Sequence, residues 1–512
     1  MRIIKIRSLR ELLAAEEGTT ALIFAMMFLS LIVLLGGGFD LSKHRSESTL
    51  IQAALDATAI HMVQEQTIPD DQVEAAARAF FDANTNGIVA NIDAFVATRE
   101  GATFSVQVNA HVDTFFMGLI GIETLPIFSE VGSALSDNTR EIALVLDTTG
   151  SMAGARLADL KQATNLLLDR LEASSPSASG NYHVGIVPFN QYVRVDPNNF
   201  SNQWLDSDGR STAGLEIFGE RVELLELFDH LGEDWKGCLR SRPGSFAFTD
   251  TPVEAGNFNT RFMPLFAYDE ADDGSYDNNY MADAVVHPDG ISSVSSILKY
   301  GITPGNGDNP SSWASVSTSI NGNLGPNRNC SSEPIIPLTT NLNDIRSTVN
   351  SFQARGDTQL TEALVWGQRI LSDHPPYTNA RPADAADNRK FLIFLSDGIN
   401  SIDGGNSDLR STLNTQGYAA IGEQASLLPP SPVEDDINDY LDTEFSAACD
   451  SIKAAGTEII VIRLELNDPA SQNLLRNCAS GNSNFFDATD SSQLDDIFTE
   501  LASRVTSARL TQ

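Results

Sequence analysis

Basic residues are scarce in this chain: 33 Lys and Arg stand against 68 Asp and Glu, a formal charge of −35. That balance argues against a protein that grips nucleic acid by its phosphates, which needs a cationic surface. It suits solubility outside the cytoplasm, salt tolerance or divalent cations, and does not choose among them. Cysteine is sparse too. Cys238, Cys330, Cys449 and Cys478 include no CxxC pair, which argues against a zinc site built from cysteines. An even, widely spaced set allows two disulfides in an oxidising compartment. Charge is missing altogether between Glu17 and Asp40.

The uncharged run GTTALIFAMMFLSLIVLLGGGF, residues 18–39, is long enough to cross a bilayer, which takes about 20 apolar residues as a helix. Arg2, Lys5, Arg7 and Arg10 precede it, and only Lys43 and Arg45 follow closely. The positive-inside bias puts residues 1–17 in the cytoplasm and the remainder outside. A cleaved signal peptide is the main alternative, with Gly36 and Gly38 small enough for cleavage. The apolar stretch exceeds the usual h-region, however, and no Ala-x-Ala follows it. A buried core helix is the third reading.

Beyond the run, Leu50, Ala54, Thr58 and Met62 recur at helical spacing, with Ile51 and Leu55 beside them. No Gly or Pro separates them from Phe39, so one long helix is expected to continue as an amphipathic shaft. ATFSVQVNAHVDTFF and PIFSEVGSAL then read as strands. Gly18 before the apolar run, Asp40 after it and the stretch Gln52-Ala53-Ala54-Leu55-Asp56-Ala57 resemble the N-terminal segment of TadE/TadG-like proteins of tight-adherence (Tad) pilus systems. The resemblance implies a pilin-like α+β region over residues 40–139. One departure is Ile23, five residues after Gly18, where processed pilins of this kind carry Glu.

From Arg140 the pattern changes to alternating strands and helices. EIALVLD, YHVGIVPF, KFLIFLSDG, TEIIVIRLEL and NFFDAT read as strands. ARLADLKQATNLLLDRLEA, NLNDIRSTVNSF, LTEALVWGQRILS, EFSAACDSIKAAG, LLRNCAS and LDDIFTELASRV read as helices, and Leu157, Leu160, Leu167, Leu168 and Leu171 share one face of the first. Continuous apolar strands between helices indicate an α/β fold with a doubly wound, mostly parallel sheet of Rossmann-like type. Two polar stretches, about 195–333 and 401–439, interrupt the alternation. They are too long for plain loops and are expected to be ordered insertions. Cys449 and Cys478 lie in helices flanking one strand and are expected to pair, leaving Cys238 with Cys330 inside the first insertion.

In such sheets the ligand site lies beyond the carboxyl ends of the strands. Asp147, Thr149 and Ser151 follow the first strand, Thr358 lies in a loop before LTEALVWG, and Asp397 follows KFLIFLS. Two carboxylates and three hydroxyls, without His or Cys, suit a hard cation: Mg²⁺, or Ca²⁺ or Mn²⁺, rather than Zn²⁺. Taken singly, Asp147 and Ser151 could cap the following helix, and Asp397-Gly398 could be a turn. A nucleophilic Ser151 would need a base, and no His lies near the three motifs. YDEADDGSYDNNY, Tyr268 to Tyr280, suggests calcium but fails as an EF-hand, because Ala271 and Tyr280 stand where ligands belong. It reads as a solvated acidic loop.

Asp147-Thr148-Thr149-Gly150-Ser151, Thr358 and Asp397 resemble the metal-ion-dependent adhesion site (MIDAS) of von Willebrand factor type A domains, with Thr149 in place of that family's middle Ser. The resemblance covers the alternating frame from about Arg140 to Ser507 apart from the insertions, and the domain is expected to span residues 140–512. Anchor, pilin-like region and A-type domain together are similar to TadG-type pilus-assembly proteins, as are WKGC at Trp235–Cys238, Pro337-Leu338-Thr339, WGQRILS at Trp366–Ser372 and CDSIKAAGTEIIVIR at Cys449–Arg463. This implies a single-pass protein of the bacterial inner membrane with its C-terminal region periplasmic or extracellular. The implied role is non-enzymatic: part of Tad/Flp pilus assembly, with a protein partner supplying a carboxylate to the metal. The alternative is an exported surface adhesin that binds a host or matrix ligand independently of any pilus.

Overall fold

The architecture is a computed structural model that describes residues 16–65, 68–85, 87–100, 103–134, 139–174, 182–270, 278–282, 297–322, 324–385, 388–402, 411–465, 469–506 and 509–511. The cationic segment 1–15 and Ala271 lie outside them. The chain divides into two compact units, Met1–Asp137 with Ser507–Gln512, and Asn138–Thr506.

The first unit opens with a single 49-residue helix, α1 (Glu16–Gln64). Its part from Ile23 onward is long and apolar enough to cross a membrane. The later turns bury Ile51, Ala54, Leu55, Thr58, Ala59 and Met62. Leu50, expected in that stripe, is exposed. The stripe is centred one residue further on, and each residue turns the helix by about 100°. A short helix α2 (Val73–Ala83) adds Val73, Ala77 and Phe81 to the same core.

Strands β1 (Asn91–Glu100), β2 (Thr103–Asp113) and β3 (Thr124–Ala134) form an antiparallel sheet in that order, extended by the short strand Arg509–Thr511 beside β3. Strand alternation turns Phe104, Val106, Val108, Ala110 and Val112 of β2 inward. Two buried charges tie helix to sheet. Arg99 donates to the carbonyls of Met62 and Glu65, orphan acceptors at the C-terminus of α1, and to that of Ile68 beyond it. Glu47 accepts from the backbone N–H groups of Val89 and Ala90.

The second unit is a mixed α/β layer structure. In chain order come β4 (Thr139–Asp147), α3 (Ala155–Ala173), β5 (Tyr182–Phe189), α4 (Thr212–Phe218), α5 (Leu224–His230), β6 (Leu239–Arg240), β7 (Met263–Pro264), β8 (Ile336–Thr339), α6 (Leu342–Ser351), α7 (Leu360–Ile370) and β9 (Asn388–Ser396). Then follow α8 (Gly422–Leu427), α9 (Glu434–Ala454), β10 (Glu458–Leu464), α10 (Pro469–Cys478), β11 (Phe485–Ala488) and α11 (Leu494–Thr506). The main sheet has the order β11-β10-β9-β4-β5-β8. All neighbours are parallel except β8, which runs antiparallel to β5.

Helices cover both faces. Ile142 and Leu144 of β4 face α3, α6 and α11, while Ala143 and Val145 face α7, α9 and α10. A strand buried on both sides has no polar face to show, which is why β4 reads as a continuous apolar run. The first long insertion is ordered over its described parts. It builds a satellite core around Phe266, Tyr268, Tyr280 and Tyr300, and it sends Phe200 and Phe262 against Trp366 of α7. The second insertion ends earlier than expected, because α9 starts at Glu434. Three acidic residues in the first turn suit the positive end of a helix, and Asp436 accepts from the Val433 N–H.

The disulfides are Cys238–Cys330 and Cys449–Cys478, the pairs expected. The acidic stretch at Tyr268 is not solvated where it is described. Asp269 is fully buried, accepts from the N–H groups of Tyr280 and Met281, and pairs with buried Lys299. A lysine about thirty residues away neutralises what composition alone presents as a loop that must face water.

Candidate metal centre at the strand ends

The site sits where β4 and β9 end side by side. Leu146 pairs with Leu395 across the two strands, so the next residues, Asp147 and Ser396, emerge together. Asp147 is fully buried. One carboxylate oxygen accepts from Thr149 N–H at 2.8 Å, and the other accepts from the Ser396 hydroxyl at 2.6 Å. Thr149 Oγ1 and Ser151 Oγ lie 2.9 Å apart, and Ser151 Oγ donates to Asp397 Oδ1 at 2.7 Å. Four of the five expected oxygen ligands thus form one connected cluster.

Thr358 joins through its neighbours. Its hydroxyl is so near Gly398 that a Cβ there would stand 3.3 Å from Thr358 Oγ1. The loop carrying it is bound to the first motif by two backbone bonds, Gly150 N–H to Gly356 O and Arg355 N–H to Thr148 O, each 2.9 Å. Gly356 has φ +75°, a conformation that glycine adopts without steric cost.

The helix-cap reading of Asp147 and Ser151 does not hold. α3 begins after Gly154, which offers no side-chain cap, and both side chains turn to the cluster instead. The Ser151 hydroxyl hydrogen-bonds Thr149 and a carboxylate, not an imidazole.

Two carboxylates this close repel. Burial first, and the charge of Asp397 second, push the Asp147 carboxyl up to about 7, against hydrogen bonds from Ser396 and Thr149 that pull it down. Among the described residues, the guanidinium bonded to this cluster is that of Arg156. It donates to Asp397 Oδ2 at 2.8 Å, to Ser151 O at 3.0 Å and to Glu465 Oε2 at 2.7 Å. Glu465 itself has φ +50°, uncommon outside glycine, at the end of β10.

Sequence reading missed Arg156, Ser396 and Glu465. Arg156 had a signal. It stands in the first turn of α3, where the helix dipole disfavours a cation and no acidic residue of that turn offsets it. A cation there needs a carboxylate from elsewhere.

Among the described residues no group of three or more His, Cys, Asp or Glu side chains is placed to hold a metal. The two carboxylates and three hydroxyls gathered at the strand ends are the donor set that fits a hard cation keeping water ligands.

No protein-family model matches the sequence, and no curated protein is significantly similar to it. Several solved structures align with the chain. The pilus adhesin SpaC from Lactobacillus rhamnosus GG is 11% identical with a TM-score of 0.35, over 82% of this chain and 35% of that one. The pilus adhesin RrgA from Streptococcus pneumoniae is 10% identical with a TM-score of 0.35, over 82% and 49%. The vWF domain of the type V pili tip protein Mfa5 from Porphyromonas gingivalis is 9% identical with a TM-score of 0.32, over 72% and 95%. The chain thus spans about a third of the length of SpaC. At these TM-scores the likeness does not bear on function, and the geometry of the site has to carry it.

Proposed function

We propose that this chain is a membrane-anchored, non-enzymatic recognition protein of Tad/Flp pilus assembly. Its second unit is read as a von Willebrand factor type A domain of doubly wound type. Asp147, Thr149, Ser151, Thr358 and Asp397 hold a divalent cation, Mg²⁺ in the first instance. The cation supplies Lewis acidity toward an anionic oxygen, so a carboxylate of a protein partner is the ligand it suits. The chain's own residues do the rest. Ser396 and Thr149 orient Asp147, and Arg156 fixes Asp397 and Ser151.

The single observation that carries this reading is the convergence of Asp147 and Asp397 on one hydroxyl chain, with Asp147 buried and its carboxyl pushed up to about 7. A buried pair of like-charged carboxylates at the rim of a sheet is costly as mere structure and useful as a cation site. Anchoring rests on α1, whose apolar part precedes the folded region and follows a cationic N-terminus.

The test is paired. Purified protein is melted with Mg²⁺ and with chelator, and membranes from cells making tagged wild type or Asp147→Ala are solubilised and their partners identified. Mg²⁺-dependent stabilisation with co-purified pilus secretion components, both lost in the variant, is expected. Unchanged melting and unchanged partners in chelator overturn the metal reading. Binding to surfaces in cells without any pilus machinery favours the independent adhesin.

A further inference from the structure

The turn between β2 and β3 is unusually apolar. Thr114 to Ile122 reads TFFMGLIGI, without a charge, between Asp113 and Glu123. Phe115, Leu119 and Ile120 are 76%, 63% and 58% exposed. No core of the first unit takes them in. The turn is nevertheless held firmly, and what holds it is α1. The Asp40 carboxylate, itself buried, accepts from the N–H groups of Phe115, Phe116 and Met117 at 3.1, 2.8 and 2.8 Å. Phe116 lies on Gly36, where any Cβ would fall 2.1 Å from its ring, and makes an edge contact with Phe39. Gly36 is thus the place where the turn reaches the apolar run.

We infer that this turn is a second membrane contact, with Phe115, Leu119 and Ile120 sunk into the outer interface of the bilayer beside the helix. The inference rests on the anchor reading of α1 given above. Gly36 lies four residues before Asp40, about 6 Å down a helix with a rise of about 1.5 Å per residue. If α1 spans the bilayer, whatever packs on Gly36 is at the depth where amphipathic surface elements lie, about 5–10 Å below the headgroups.

The backbone is prepared for that depth. Besides the three donors taken by Asp40, Thr114, Leu119, Gly121 and Ile122 give their N–H groups to carbonyls of the same turn or its flanks. Paired donors enter an apolar medium at little cost. The N–H groups of the turn solvate the Asp40 carboxylate in place of water, so it can stand at the inner edge of the headgroups. The next cations, Lys43 and exposed Arg45, stand one turn higher, at headgroup level. With helix and turn both immersed, the sheet is held in one orientation on the bilayer; a lone span leaves it free to swivel.

All four native cysteines are paired, so an introduced thiol takes a label alone. Full-length Leu119→Cys, Phe115→Cys, Phe28→Cys and Val89→Cys proteins are spin-labelled and reconstituted in phosphatidylethanolamine–phosphatidylglycerol vesicles. Relaxation by oxygen and by a water-soluble nickel chelate reports depth. Labels at 119, 115 and 28 are expected to favour oxygen, and the label at exposed Val89 to favour nickel. If 28 reads as lipid while 119 and 115 read like Val89, the inference fails and the anchor stands. If 119 and 115 are shielded from both reagents, a protein covers the turn and the inference fails. If 28 itself reads as aqueous, the anchor reading falls and this one with it.

Discussion

Two buried carboxylate sites in the second unit differ in how their charge is answered. Glu362, on α7 beneath the first insertion, accepts from Trp366 Nε1 at 2.7 Å, Arg369 at 3.0 Å and the Ser241 hydroxyl at 2.6 Å. Arg369 is stacked on the rings of Trp366 and Phe262. The Glu362 carboxylate holds the Arg369 guanidinium directly, with Arg242 close enough to feel both, and the insertion is pinned through them. At the strand ends, Asp147, Asp397 and Glu465 have the single guanidinium of Arg156, and Asp147 does not touch it. The first arrangement pairs its carboxylate directly with a guanidinium and works as a fastener. The second is short of positive charge, which is the condition for taking a cation from solution.

The comparison breaks most visibly at the fastener. Arg369→Met removes the guanidinium bonded to buried Glu362, leaving only the more distant Arg242, and should cost about 3–5 kcal/mol. Chemical denaturation should return the same loss in Mg²⁺ and in chelator. A loss confined to chelator would mean the two sites are not separate.

Next comes pH. The folded-state value of Asp147 is raised to about 7 from 3.8. Between those values the folded chain binds a proton that the unfolded chain lacks. Without metal, this group's contribution is therefore most favourable below about pH 4 and is lost as pH rises toward 7. Three units correspond to at most about 4 kcal/mol. The difference between wild type and Asp147→Asn in chelator, measured across that range, isolates it. Asp147→Asn should be the more stable protein at neutral pH, and Mg²⁺ should flatten the slope in wild type. A flat difference would show that neither burial nor Asp397 raises the Asp147 carboxyl in the folded chain.

Mg²⁺ at 100 times its dissociation constant should stabilise wild type by about 2.7 kcal/mol. Asp147→Ala and Asp397→Ala should lose most of that gain yet still fold, because both lie at the rim of the sheet. Melting curves in matched buffers decide it.

The smallest effect sharpens the role of Arg156. Arg156→Gln removes hydrogen bonds to two carboxylates and should cost about 1–3 kcal/mol in chelator. The same change removes a positive charge beside the site, so titration calorimetry should find Mg²⁺ bound more tightly. Weaker binding would mean that Arg156 positions Asp397 more than it competes for it.

Much of this was legible in the chain. The strands β4, β5, β9 and β10 announce themselves because burial on both faces leaves continuous apolar runs. The start of α9 was hidden, since acidic residues after PPSP read as loop until a helix gives them a dipole to face. Glu362 and Arg369 passed as part of an ordinary helix in the sequence. Their burial comes from Phe262 and Ser241, which the first insertion brings over α7.

The sequence by itself determined the main strands and the helices between them, the apolar segment and the residue types able to hold a cation, because local periodicity and side-chain chemistry are properties of short windows. Only the tertiary structure decided which of them meet. Ser151 and Asp397 lie 246 residues apart and Asp147 and Ser396 lie 249 apart, yet each pair is in hydrogen-bond contact. The parallel register of β4 with β9 brings them together. The same holds for Asp40 and Phe116, 76 residues apart, and for the choice of Arg156 over other cations. Contact at such separations follows from strand order and helix packing, and no window of sequence contains it.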